Sequence, residues 1–133
     1  MNDAKNVTGS CLCGGVKFNV KKFTRPVTAC HCQQCRKTSG NFVAATRSKN
    51  TVLEMISDET LSWYWSSEEA ERGFCCVCGG NLFWREIGSD ATSIMAGPLD
   101  GPTGLVTSAH IYVEDAGDYY ELNDDVPKFL QGD

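Results

Sequence analysis

The sequence predicts a mainly β protein, and three observations carry that expectation. Short runs rich in β-branched and aromatic residues recur along the chain, several with strict alternation. No long amphipathic helical pattern separates them. Eight cysteines fall into three tight clusters, a distribution that suits metal staples in a small sheet protein. At 133 residues the chain has the length of one ordinary domain, and it is expected to form one over 1–133, with motifs over about 9–113 and a tail over 114–133.

The elements follow in order. Val16, Phe18 and Val20 alternate with Lys17, Asn19 and Lys21, the period of a half-buried strand. CRKTSG (35–40) reads as one helical turn closed by Gly40. NFVAATR (41–47), TVLEMI (51–56) and TLSWYW (60–65) read as strands, with Trp63 and Trp65 expected in the core. NLFWRE (81–86), SIMAG (93–97) and SAHIYV (108–113) complete the set of antiparallel sheets, and GPLDGPTG (97–104) is a turn-rich loop. The tail from Asp115 is acidic and aromatic, with a short turn expected at 126–130 and Asp124 and Asp125 as solvated acids.

Composition excludes several roles. The formal charge is −5 and no Lys/Arg run is present, so nucleic acid is not an expected partner, because phosphate contacts supply most of that affinity. No stretch approaches the roughly 20 apolar residues of a membrane span. The opening MNDAKNVTGS lacks the apolar core of a secretory signal, which points to a cytoplasmic location. There, clustered cysteines are metal ligands more often than disulfides.

Cys11 and Cys13 precede a strand and, in extended backbone, face the same way. Cys75 and Cys78 form C-x-x-C followed by Gly79, the spacing of a zinc knuckle, with Cys76–Val77–Cys78 as a competing C-x-C. Cys11, Cys13, Cys75 and Cys78 are therefore assigned to one closed four-sulfur zinc site. CHCQQC (30–35) leaves Cys30, Cys32 and Cys35 for a second ion. Three protein ligands with an open position mark a catalytic zinc, whereas four mark a structural one. Cys76, His31 or His110 are the alternatives that would close it. His31 alternates with the cysteines and is expected to point away, and Cys76 is expected as a small buried residue. Three thiolates make zinc a weak Lewis acid for water and suit a soft fourth ligand, so the chemistry points to a low-molecular-weight thiol.

The order S-C-L-C-G-G-V, C-H-C-x-x-C-R-K-x-S-G, R-G-F-C-x-x-C-G and A-H-I-Y-V, running from about Gly9 to Val113, resembles the glutathione-dependent formaldehyde-activating enzymes, a family that includes centromere-protein-V-like proteins. The resemblance implies a zinc-bound β-tent fold. It implies a carbon–sulfur lyase activity that joins glutathione and formaldehyde into S-hydroxymethylglutathione. It also implies a structural zinc on Cys11, Cys13, Cys75 and Cys78 and a catalytic zinc on Cys30, Cys32 and Cys35. Cys76 departs from the family pattern. Arg36 and Lys37 are candidates to attract a thiol's carboxylates. His110 is a candidate to line the pocket and move a proton. The competing function is a non-catalytic zinc module that binds another protein.

Overall fold

The chain starts with a hairpin: β1 (Val7–Ser10) runs antiparallel to β2 (Val16–Val20), with Val7 opposite Val20 and Ser10 opposite Lys17. β3 (Arg25–Cys30) leads into α1 (Gln33–Ser39), and β4 (Val43–Lys49) follows. A 3₁₀ turn (Asn50–Val52) precedes β5 (Leu53–Asp58) and β6 (Leu61–Trp65). The rest of the regular structure is β7 (Ala70–Cys75), β8 (Asn81–Glu86), β9 (Ala91–Met95), β10 (Thr107–Ile111) and a 3₁₀ turn (Val113–Asp115). This computed structural model describes residues 6–132; residues 1–5 and 133, the outer ends of the expected 1–133 unit, lie outside the described residues.

Two sheets result, one of three strands in the order β1-β2-β5 and one of seven in the order β10-β3-β4-β9-β8-β7-β6. The mainly β class with antiparallel sheets stands, and one parallel pair joins them. β10 lies parallel to β3, with His110 beside Ala29 and Ile111 beside Cys30. A parallel neighbour needs a long crossover, and the loop over 96–106 supplies it.

β1, β3 and β7 were not expected as strands. β3 carries Pro26, which lacks the ladder donor, and the register with β4 slips between Arg25 and Thr28, where that loss is tolerated. β7 carries charges and Gly73, which hide its alternation. The helix is longer than the turn expected, starting at Gln33. It ends where expected: Gly40 adopts φ +86°, open to glycine, and its N–H closes on the Arg36 carbonyl.

The faces of the large sheet separate two apolar clusters. Val7, Val16, Phe18 and Val20 of the small sheet pack on Cys75, Leu82, Phe83 and Ile94 of the large one. Phe18 meets Phe83 edge-on at 5.1 Å between ring centres. On the opposite face Val43, Ala45 and Met95 cluster with Cys35, and Cys30, Cys32 and Trp84 pack against them. Ile94 and Met95 are neighbours along β9 yet belong to different clusters, as the two-residue period of a strand requires. Trp63 stacks on Phe83 at 5.9 Å, whereas Trp65, expected in the core, is exposed at the end of the edge strand β6. Arg85 covers Trp63 from the outside at 3.8 Å and pairs with Glu71.

Candidate metal centres and the cavity beside them

All eight cysteines are free thiols. Two groups bring their sulfurs together: Cys11, Cys13, Cys75 and Cys78, and Cys30, Cys32 and Cys35, with the sulfurs of each group within 4.8 Å of one another. Either group could hold a metal ion. In the first, Cys11 and Cys13 are 3.7 Å apart and Cys13 and Cys75 3.6 Å. Tetrahedral zinc with Zn–S near 2.3 Å sets its sulfurs about 3.8 Å apart, so the donor set fits that ion in number, softness and spacing. Cys11 and Cys13 do not lie in extended backbone as expected. They sit in the tight turn between β1 and β2, where Gly14 has φ +82° and donates to the Cys11 carbonyl.

Backbone N–H groups aim at these sulfurs. Val16 donates to Cys11 at 3.3 Å, and Cys78 and Val77 donate to Cys75 at 3.3 and 3.4 Å. The Cys78 N–H, followed by the Thr60 hydroxyl, draws the Cys75 thiol down to about 5, ready to bind as thiolate. Thr60 reaches Cys75 at 3.1 Å, and a Cβ on Gly15 would fall 2.2 Å from its hydroxyl oxygen. Glycine at position 15 therefore keeps that contact open. Cys76 is exposed and belongs to neither sulfur group, which corrects its expected burial.

The second group is built by a strand end running into a helix. Cys30 closes β3, Cys32 caps α1 by accepting from the Cys35 N–H at 3.4 Å, and Cys35 lies one turn in. Hydrogen bonds from the Cys30 and Cys35 thiols, then backbone N–H groups of Cys35 and Gln34, pull Cys32 down to about 2. The same contacts drive Cys30 upward, so negative charge settles first on Cys32.

These three cysteines line a cavity of about 370 Å³. Val43, Ala45, Trp84 and Met95 supply apolar wall, while Arg25, Arg47 and Arg72 bring positive charge; among the described residues no carboxylate lines it. Arg47 lies 3.4 Å from the Ser93 hydroxyl through both Nε and Nη2. Arg72 is 3% exposed and donates through Nη2 to Cys35 Sγ at 3.7 Å and Gln34 Oε1 at 3.4 Å. Tyr112, with a left-handed φ of +56° rare outside glycine, also lines the cavity. A second cavity of about 310 Å³, around Trp63, Phe83 and Arg85, holds no cysteine.

Behind the three-sulfur group runs a hydrogen-bonded chain. Asp124 Oδ2 lies 2.8 Å from His110 Nε2, His110 Nδ1 lies 2.9 Å from His31 Nε2, and His31 Nδ1 lies 2.5 Å from the Tyr120 hydroxyl. With Asp124 ionised, one proton order satisfies every atom: Tyr120 donates to His31, His31 to His110, and His110 to the carboxylate. His110 and Lys128 hold the Asp124 carboxyl at about 2, and burial, then His110, keeps His31 below its usual value. The tail also covers the β10 edge: His110 donates to the Pro127 carbonyl at 2.9 Å and Phe129 donates to the His110 carbonyl at 2.9 Å.

Residues 6–115 match the glutathione-dependent formaldehyde-activating enzymes. The chain belongs to that family. A relative in Schizosaccharomyces pombe, named an uncharacterized lyase, is 30% identical over 117 residues, covering 86% of this chain and 83% of its own. A protein of Halomonas elongata, provisionally named a glutathione-dependent formaldehyde-activating enzyme, is 28% identical over 127 residues, covering 86% and 79%. The crystal structure of a Rhodobacter sphaeroides protein shares the fold, with a TM-score of 0.62 at 21% identity over 91% of this chain and 98% of that one.

Against the sequence-based expectations, this member of the family gathers Cys11, Cys13, Cys75 and Cys78 in one place and Cys30, Cys32 and Cys35 in another. His31 turns both ring nitrogens to Tyr120 and His110, and His110 is elsewhere than expected. His110 is buried and does not line the cavity, and neither of its ring nitrogens is free to meet the sulfurs. Arg36 and Lys37 do not line it either. Asp124, read as a solvated acid, ends the histidine chain, and the expected turn at 126–130 is the stretch that pairs with β10. Arg72 sits in the R-G-F-C motif itself, but only the pairing of β7 with β8, Arg72 opposite Trp84, puts both residues on the cavity face.

Proposed function

We propose that the chain is a zinc-dependent enzyme of the carbon–sulfur lyase type. It joins a low-molecular-weight thiol such as glutathione to a small aldehyde, with S-hydroxymethylglutathione from formaldehyde as the leading product. Cys11, Cys13, Cys75 and Cys78 hold a structural zinc, and Cys30, Cys32 and Cys35 hold a catalytic one. What the second ion supplies when bound is a thiol kept deprotonated at neutral pH. A cytoplasmic location suits eight free cysteines, since reducing compartments keep thiols reduced.

One observation carries this reading: the three-sulfur group faces a cavity, and no fourth protein ligand joins it among the described residues. Cys76 is exposed and outside both groups, and both ring nitrogens of His31 and of His110 are already engaged. The chain's own part is binding and orientation. Arg25 and Arg47 line the cavity, where they attract the carboxylates of a peptide thiol. Trp84, Met95 and Val43 exclude water around the reacting sulfur, which strengthens these electrostatic contacts. A partner-binding zinc module has no need of a roomy, arginine-lined cavity at three cysteines.

The test is exchange NMR on glutathione and formaldehyde with and without the zinc-loaded protein. Acceleration over the spontaneous reaction is expected. No acceleration at protein concentrations comparable to substrate removes the proposed reaction.

A further inference from the structure

The arginines of this chain are treated unequally. Arg85 has Glu71 at 2.6 Å, and the cationic amines of Lys49 and Lys128 have Asp90 and Asp124 at 3.0 Å. Arg72 is far more buried than any of these and pairs with no carboxylate among the described residues. Its Nη2 makes two long contacts, to Gln34 and Cys35, and its Nε and Nη1 have no hydrogen-bond partner among the described residues. Leaving donors of a buried cation unsatisfied is costly. Such a cost is sustained where the site waits for a group that arrives with the ligand.

The position of these donors says what kind of group. Arg72 reaches Cys35 Sγ through Nη2, so its guanidinium, which also carries the unpartnered Nε and Nη1, stands at the edge of the three-sulfur group, and the residue lines the cavity. When a thiolate sulfur adds to an aldehyde, the S–C bond forms, the C=O π bond breaks, and its electron pair moves to oxygen. That oxygen ends two bonds from the sulfur, so its charge develops beside whatever already lies against the sulfur group. It then takes a proton from water, replacing the one the thiol released. No histidine serves this oxygen, because His31 and His110 are turned to the tail.

We infer that Arg72 is the oxyanion-holding residue of this site, its unpartnered Nε and Nη1 donors receiving the aldehyde oxygen as it becomes an alkoxide. This rests on the thiol–aldehyde reading above. Donors fixed in a site of low water content need no reorganisation as the charge appears, and removing one such donor commonly slows an enzyme by about 10²–10³-fold in kcat. Arg72 meets the requirement of being fixed. Its backbone is in the interior strand β7, paired on both sides, and its side chain is buried.

The experiment uses the zinc-loaded full chain, with Arg72→Lys and Arg72→Met beside it and metal content measured for each. In exchange NMR, kcat is expected to fall by about 10²–10³-fold in Arg72→Met, with Arg72→Lys recovering part of it and glutathione affinity unchanged. A loss confined to glutathione affinity, or no loss in kcat, overturns the assignment. A second readout needs no turnover. The Arg72 Nε–H signal, identified by its absence from the Arg72→Lys spectrum, is followed while acetate is added as the oxyanion probe. A saturable shift is expected, and a signal that stays still overturns the assignment even if Arg72→Met is inactive through misfolding. If the unmutated protein fails to accelerate the thiol–aldehyde exchange, the proposed function falls, and the acetate titration alone then decides whether Arg72 is an oxyanion site.

Discussion

The two cysteine groups present the same donor atom in opposite settings. The four-sulfur group ties a turn of the small sheet to the end of β7, across 62 residues of sequence, and Cys75 within it is fully buried. The three-sulfur group is local, drawn from residues 30–35, and faces open space rather than a second sheet. The difference teaches that ligand count alone does not set the role. Long-range closure makes a metal site part of the fold, whereas a local triad on a cavity wall leaves the fold to other contacts and the fourth position to a visitor.

Removing one sulfur from each group probes this contrast hardest. Cys75→Ser is expected to lose the folded state, because structural zinc contributes an apparent ~10–16 kcal/mol. That compares with a whole domain's net stability of about 5–15 kcal/mol. Circular dichroism and a lost cooperative melt report it, and a folded Cys75→Ser protein of near-native melting temperature breaks the comparison. Cys32→Ser is expected to keep the melt, lower bound zinc from two ions to one, and cut the thiol–aldehyde rate by several kcal/mol of barrier, roughly 10³-fold. Metal analysis and exchange NMR on one sample check both halves.

Phe18→Ala sharpens the contrast without touching a sulfur. Phe18 is fully buried between the sheets, so the change is expected to cost about 3–5 kcal/mol in denaturant unfolding while leaving kcat as it was. Tyr120→Phe removes a single hydrogen bond to His31. It is expected to cost about 1 kcal/mol of stability. Denaturant unfolding of the variant beside the unmutated chain reads that loss.

The smallest effect is at Asp124. Its carboxyl sits at about 2 in the folded chain against 3.8 ordinarily, so its contribution is present above pH 3.8 and is lost as pH falls toward 2. The melting-temperature gap between the unmutated chain and Asp124→Asn is expected to be constant from neutral pH to about 5 and to close below 3.8. A gap that widens on acidification contradicts the hydrogen bond from His110 and the ion pair with Lys128.

Much of the site was legible because metal ligation is written in local spacing. C-x-C-x-x-C and C-x-x-C-G place sulfurs together whatever the rest of the chain does. The strands that showed themselves, such as β2 and β8, are those whose alternation survives in the side chains. β3 and β7 did not, because Pro26 and Gly73 mark bulges rather than strand ends. Arg72 could not be placed in a site from sequence, since it enters the cavity face only through the pairing of β7 with β8. His110 was assigned to the wrong surface for the same reason: alternation gave its face of β10, but not that the tail would bury that face.

His31 stands between Cys30 and Cys32, and the hydroxyl that steadies it belongs to Tyr120, 89 residues later. On the ribosome the three cysteines therefore emerge long before the hydroxyl that holds His31. The β1–β2 hairpin can close well before that point, yet the hydrogen bond to His31 forms only when Tyr120 docks. Placing a bulky fusion after the tail should slow that docking and delay activity relative to folding, a lag that a coupled translation assay can time.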